Sequence, residues 1–444
     1  MPAIPSAHAV QELRTARLAM MLRPPVAGRV LGWGAFALVL LLAPLITRSG
    51  ASLSLLSQVG TLMIFGLSYN MLLGQGGMLS FGHAVYSGLG GFAAVHVMNL
   101  ASGAGGVSVP TSLIPLVGGC AGLFFGMVLG YVTTKRAGTT FSMITLGVVE
   151  LVFACSLMFP GLFGGEGGVT TNRASGKAFW GISFGPQIQV YYLIAGWLLI
   201  CAVAMYAFMH TPLGRMSNAV RDNPERAEFV GYDTRWVRYL TLILSAFFAG
   251  ISGALSAINF EIVSSEDISL SRSGAVLLFT FIGGSGFFFG PMIGAVIGVF
   301  FTVLLSDLTK AWQLYLGAFF IAMVMFAPGG IASIAMAHMR LLRHGGFGRV
   351  LPGWLAVCST CLITLAGCVM LVEMLYHHTL SSESGTVMTL FRVTFDTAQP
   401  KGWLMACALL LLGGAGFVRC KRKFCSAWEQ AQAEVDKQTG VLKT

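Results

Sequence analysis

The chain has 444 residues, of which 55% are hydrophobic and only 10% charged, with a formal net charge of +10 and a mean hydropathy of +0.78. A soluble domain carries about a quarter charged residues, so this composition has too little polar surface to cover a water-soluble protein and excludes that class. Together with 57 Gly and 32 Phe, glycine being more frequent in membrane helices than in soluble ones, it predicts an all-α, polytopic membrane protein of about ten to twelve segments, short or broken helices included.

The first 29 residues hold Arg14, Arg17, Arg23 and Arg29 and are amphipathic rather than apolar, so no cleavable signal peptide is read and the first apolar run is expected to stay as an anchor. A crossing helix needs roughly 20 mainly apolar residues. Runs of that character lie near 30–48, 53–73, 83–99, 111–131, 139–159, 189–209, 238–260, 273–284, 291–306, 313–329, 353–375 and 402–418. Those at 83–99, 273–284 and 291–306 are short and flanked by glycine, and are expected to be re-entrant or broken. Irregular backbone at membrane depth is tolerated only where protein or water surrounds it.

Between the second and third runs lies GQGGMLSFGHA, Gly74 to Ala84. It lacks the lysine of a Walker phosphate loop and the βαβ setting of a dinucleotide fingerprint. The stretch is therefore read as a break that lets backbone approach a path or a neighbouring helix. Ionisable groups within apolar runs are costly and often mark a pathway, which singles out His83 at the start of the third run and Glu150 within the fifth; Ser80 joins them through its hydroxyl. Each also has a structural reading. Ser80 and His83 can hold the break in shape, and Glu150 can be a helix-packing carboxylate. The nine cysteines mostly lie in apolar runs and read as small fillers; Cys358 and Cys361 have CxxC spacing but no accompanying ligands.

Basic clusters set the orientation. Arg14 to Arg29, Lys135 with Arg136, the arginines between 215 and 238, Arg340 with Arg343 and Arg349, and Arg419 with Lys421, Arg422 and Lys423 all fall on one side when the twelve runs are threaded alternately. The other side keeps only scattered Arg173, Lys177, Arg272, Lys310, Arg392 and Lys401. The rich side is expected to be cytoplasmic, with both termini inside. The charge excess is this bias, with the lipid bilayer as its partner and no nucleic acid implied.

One connection on that side, Thr211 to Arg238, is longer than a turn requires. Asn223 can cap, Pro224 takes the first helical position and Glu225 the first turn; Gly231 ends the helix, and Asp233 caps a new start into the next run. Ala227, Phe229 and Val230 give it an apolar side, and its charges alternate. It reads as a docking helix for a soluble partner or as a solvated amphipathic loop, and the residues alone leave both open. Beyond residue 350 two further runs enclose a polar segment with His377, His378, Glu383 and Asp396. Adjacent histidines in a loop are ordinarily just polar, and no metal or cofactor site is assigned.

Six ordered blocks carry a family resemblance: YNMLLGQGGMLSFGHAVYSGLGGFAA at 69–94, RAGTTFSMITLGVVE at 136–150, GGEGGV at 164–169, AVRDNPERAEFVGYDTRWVRYLTLILSAFFAGISGALSA at 219–257, FIGGSGFFFGPMIGAVI at 281–297 and MFAPGGI at 325–331. Over about 30–335 the chain resembles the permease subunits of branched-chain amino-acid ABC importers. The resemblance implies a transport permease rather than an enzyme, in a bacterial inner membrane. It implies two ABC ATPase subunits that hydrolyse ATP, a homologous second permease, a periplasmic substrate-binding protein and a small-molecule substrate. It also implies an ATPase-coupling helix at Asp222 through Tyr232, with Asp222, Asn223, Glu225, Arg226, Gly231 and Tyr232 in the docking loop. Residues 1–29 form a cytoplasmic segment in this reading, 30–335 the transmembrane domain and 336–444 an extension with a two-span hairpin and a cytoplasmic tail. The alternatives are import of urea, short amides or other small carboxylates, and an ion-coupled secondary transporter. The last would need ionisable relays in several runs.

Overall fold

The computed structural model describes residues 26–46, 49–102, 109–174, 183–343, 347–380, 387–390, 393–397 and 399–438. Arg14, Arg17, Arg23, Lys177, Glu383 and Arg392 lie outside the described residues. The described residues are almost wholly helical: α1 Val26–Ile46, α2 Gly50–Asn70, α3 His83–Ser102, α4 Ile114–Thr133, α5 Thr139–Met158, α6 Gln187–His210, α7 Pro212–Asp222, α8 Pro224–Phe229, α9 Thr234–Phe260, α10 Leu270–Gly283, α11 Gly290–Val299, α12 Trp312–Phe326, α13 Gly330–Arg343, α14 Phe347–Leu380 and α15 Pro400–Gln438. Among the described residues nine helical stretches are long and apolar enough to cross a membrane, or ten if α12 and α13, bent by 51°, count as one span. Two shorter apolar helices, Val30–Leu45 within α1 and α10, complete the twelve runs seen in the sequence.

The run at 83–99 was expected to be short or broken, and here the structure corrects the expectation. Helix α3 is continuous over 20 residues, and the break lies wholly before it. The run at 273–284 does stay short, as the 14-residue α10. The run at 291–306 continues past α11 through a π-helical stretch, Phe300–Leu305.

Contacts divide the chain into two compact units, Met1–Thr302 with Phe320–Ser333, and Val303–Phe319 with Ile334–Thr444. In the first, α9 is the central post. It packs on α2, α3 and α4, and most of its length is buried. The contact with α4 rests on glycines spaced by four: a Cβ at Gly118, Gly122, Gly126 or Gly130 would run into Ala254, Ala246 or Leu242 of α9, or into its backbone. Lipid gives helices no hydrophobic reason to associate, so close backbone approach through small residues supplies the dispersion that holds them. Hydroxyls cross-link the same post, with Ser245 donating to the Ser68 carbonyl (2.6 Å) and Ser252 to the Thr61 carbonyl (2.8 Å) of α2.

Beyond the end of α9, Val169–Thr170 (β1) pairs antiparallel with Ile262–Val263 (β2). Arg173 secures this cap. It ion-pairs with Glu261 and donates to the Ile258, Asn259 and Gly185 carbonyls and to Gln187 Oε1.

In the second unit α14 and α15 form an antiparallel-strand-linked pair: Val387–Leu390 (β3) and Val393–Asp396 (β4) lie between them. Gly367, Gly413 and Gly416 permit their close approach. Glu373 of α14 accepts from Thr309 Oγ1 (2.6 Å) and Tyr315 OH (2.9 Å). Like Glu150, Glu373 is an acid inside an apolar run of the sequence.

Candidate functional site

Helix α2 runs into a π-helical turn, Met71–Gln75, and the chain then crosses Gly76 to Gly82 without regular structure before α3. Such backbone leaves its polar groups to be satisfied by neighbours, and α2, α5 and α10 do so. Ser142 of α5 donates to the Leu79 carbonyl (2.7 Å), and the Phe81 amide donates to Thr145 Oγ1 (3.1 Å). Tyr69 OH donates to the Ser80 carbonyl (3.0 Å), and the Ala84 amide donates to Ser273 Oγ of α10 (3.0 Å). The break is thus a junction of α2, α3, α5 and α10.

Its glycine-rich half is the seat of α7. Arg221 donates to the Gly74 carbonyl, and Asn218 Nδ2 donates to Gln75 Oε1 at 2.7 Å. Gly77 has φ +63°, and a Cβ there would lie 2.5 Å from Arg221 Cγ. The turn 284–289 between α10 and α11 arrives at the same place, where Asn70 Nδ2 donates to the Phe287 carbonyl (3.4 Å). Four of the six sequence blocks, 69–94, 136–150, 219–257 and 281–297, therefore meet at this break.

His83 is fully buried. Its ring stacks on Phe65 (centroids 5.5 Å apart) and meets Tyr69 and Tyr86 edge-on, with Nε2 3.0 Å from Ser68 Oγ. Its Nδ1 is buried without a partner among the described residues. Ser80 is buried too, its hydroxyl accepting from the Gly82 amide at 3.3 Å. Glu150 lies apart from both. Helix α5 buries Phe141, Thr145, Val149 and Ser156 on one face, and Glu150 is exposed, alongside exposed Met143, Leu151 and Met158.

The connection to α9 carries the caps read from the sequence. Asn223 Oδ1 accepts from the Arg226 amide (2.9 Å), Pro224 opens α8, and Asp233 Oδ1 accepts from the Arg235 amide (2.8 Å). Gly231 has φ +92°, a left-handed stop. Helix α7 itself was missed, although its signal stands in TPLG: Thr211 accepts from the Gly214 amide and Pro212 takes the first turn. Ala227 is buried against Val220 and Val237 and fixes α8 to α7 and α9. Phe229, by contrast, is 91% exposed, and Val230, Tyr232 and Trp236 are exposed beside it. Asp222, Glu225 and Arg226 are exposed around this apolar tip, Asp222 in an ion pair with Arg221.

A family profile described as "Branched-chain amino acid transport system / permease component" matches residues 52–328. The chain is 25% identical, over 63% of its length and 69% of theirs, to proteins of Escherichia coli (strain K12) and Salmonella typhimurium, each described as "High-affinity branched-chain amino acid transport system permease protein LivM". It is 23% identical, over 56% of its length and 74% of the relative's, to the "Autoinducer 2 import system permease protein LsrC" of Photorhabdus laumondii. No solved structure matches the chain.

Proposed function

This chain belongs to the permease-component family of branched-chain amino acid transport systems, and from that premise we propose that it forms the membrane path of an ATP-driven importer of branched-chain amino acids. The observation that carries the coupling part of this reading is the exposed tip of α8: Phe229, Val230 and Tyr232 ringed by Asp222, Glu225 and Arg226. A large aromatic left in water at the end of a membrane bundle is an interface waiting for a partner. Surrounding charges of both signs fix the register of docking. The partner is one of two ABC ATPase subunits, a homologous second permease completes the path, and a periplasmic binding protein delivers substrate. The chain then lies in a bacterial inner membrane with the α7–α8 end and both termini cytoplasmic, an orientation favoured by its basic clusters.

Residues 1–29 are the cytoplasmic lead segment, 30–335 the permease domain and 336–444 an addition to it. Ser80 and His83 hold the break that seats α7. A closing movement of the ATPases under α8 is passed through Asn218 and Arg221 to Gln75 and Gly74, and so to the helices that meet there. Glu150, on the outward face of α5, is placed to meet the second permease or the path between the two.

The test is substrate-stimulated ATPase of the purified complex in vesicles, with the binding protein and a panel of amino acids, urea, short amides and small carboxylates. Leucine, isoleucine and valine are expected to stimulate hydrolysis. Stimulation by another solute with none from these three would overturn the substrate assignment. Similarity to an autoinducer importer permease as well as to amino-acid permeases is the reason for the breadth of the panel.

A further inference from the structure

Away from the break, a cavity of about 100 Å³ opens between α3, α9 and the segment that leads into α10. That is well above the roughly 10–15 Å³ a single water requires. Gly88 and Gly91 of α3 and Gly253 and Ser256 of α9 form one wall. The glycines let the walls of the cavity pack closely on one another: a Cβ at Gly88 would lie 2.5 Å from the Ile268 side chain and 3.0 Å from the Asp267 carbonyl. Phe260, Ile262 and Val263 add an apolar side.

Two opposite charges complete the lining, Asp267 and Arg272. They share one small cavity and yet form no ion pair with each other. Asp267 is held in place, Oδ2 accepting from the Ser264 amide at 3.1 Å. Arg272 is set by its own backbone, whose amide donates to Ser269 Oγ (3.2 Å), while its guanidinium makes no hydrogen bond or ion pair among the described residues. A half-buried guanidinium beside a carboxylate would ordinarily neutralise it, because an unpaired charge in a partly dry site is expensive. Here the two stand apart across a space, which suits a ligand bearing both complementary charges.

We propose that this cavity receives the zwitterionic head group of an α-amino acid in transit, with Arg272 taking the carboxylate, Asp267 the ammonium, and the Phe260–Val263 side the aliphatic chain. This rests on the amino-acid reading above and adds the place and the residues. A guanidinium meets a carboxylate through two parallel hydrogen bonds. The site needs no high affinity, since tight binding inside a transport path slows release.

The test uses the full complex with its binding protein in vesicles and follows labelled leucine. Arg272→Gln and Asp267→Asn are chosen because Asn keeps the acceptor for the Ser264 amide. Each is expected to reduce uptake at least tenfold at unchanged complex assembly, and Arg272→Lys to retain more uptake than Arg272→Gln. In a second measurement, Ser256→Cys in the same complex is modified with a small methanethiosulfonate reagent and the modification at that position is read by peptide mass spectrometry. Leucine at high concentration is expected to slow it several-fold; 4-methylpentanoate and leucinamide, each lacking one charge, are expected not to. Uptake within twofold of the parent in both charge-removing variants, Lys no better than Gln at position 272, or modification indifferent to leucine would each overturn the head-group site. Absence of leucine uptake in the unmutated complex would instead overturn the substrate reading on which it rests.

Discussion

Gly77 shows how much one position can carry. Its φ of +63° is a conformation that L side chains enter at a cost, and the space a Cβ would need is filled by the stem of Arg221. Gly77→Ala is therefore expected to destabilise the junction by about 1–2 kcal/mol and to lower the thermal midpoint of the full chain in detergent. Gly147→Ala, at a helical glycine with open space around it, is expected to leave the midpoint unchanged or slightly raised. Equal loss in both would remove the special role given to the seat of α7. His83 illustrates the opposite case. Its residue type and position pointed to a path, but the ring is enclosed by Phe65, Tyr69 and Tyr86. Nothing in the local sequence distinguishes a histidine facing a channel from one facing three aromatic rings.

Helix α8 is the element whose boundaries were most legible, because capping is local chemistry: Asn223, Pro224, Gly231 and Asp233 each act on backbone within a few residues. What the sequence left open was which side faced out. Ala227 turned inward and Phe229 outward. Two changes separate folding of α8 from docking. Asn223→Ala removes the cap and is expected to cost about 1 kcal/mol of local stability, seen as faster amide exchange over 225–229. Glu225→Lys leaves the helix in place and is expected to reduce co-purification of the ATPase with membrane insertion unchanged. Undiminished co-purification and transport in Glu225→Lys would reject the docking role. Helix α5 shows the limit of periodicity. Its sequence is apolar nearly all round, so only packing reveals that Val149 is inside and Glu150 outside.

At the scale of the whole molecule, the family match ends at residue 328 and the chain continues through α14 and α15. The compact unit that holds these helices also holds Val303–Phe319, and Glu373 of α14 is the acceptor for Thr309 and Tyr315. Truncation after residue 350 removes that acceptor and leaves both hydroxyl protons without it, while Thr309 Oγ1 still accepts from the Ala311 amide. It is expected to lower the thermal midpoint, by an amount equivalent to about 1–3 kcal/mol for the lost partner, while uptake per assembled complex stays near that of the full chain. Loss of uptake in complexes that insert and assemble normally would show that the extension takes part in transport directly.

By itself the sequence determined that this is an all-α membrane protein, where most of its spans run, where α8 begins and ends, and, through six ordered blocks, its family. Those properties follow from composition, run length and local hydrogen bonding, all of which act within about 20 residues. Only the tertiary structure decided that GQGGMLSFGHA is a seat for α7 rather than an open loop, since its partners Ser142, Thr145, Arg221 and Ser273 lie far along the chain. It alone brought Asp267 and Arg272 to one cavity against the glycines of α3 and α9. The reason is that burial and charge pairing depend on which helix faces meet, and in helices apolar on every side the sequence marks no face.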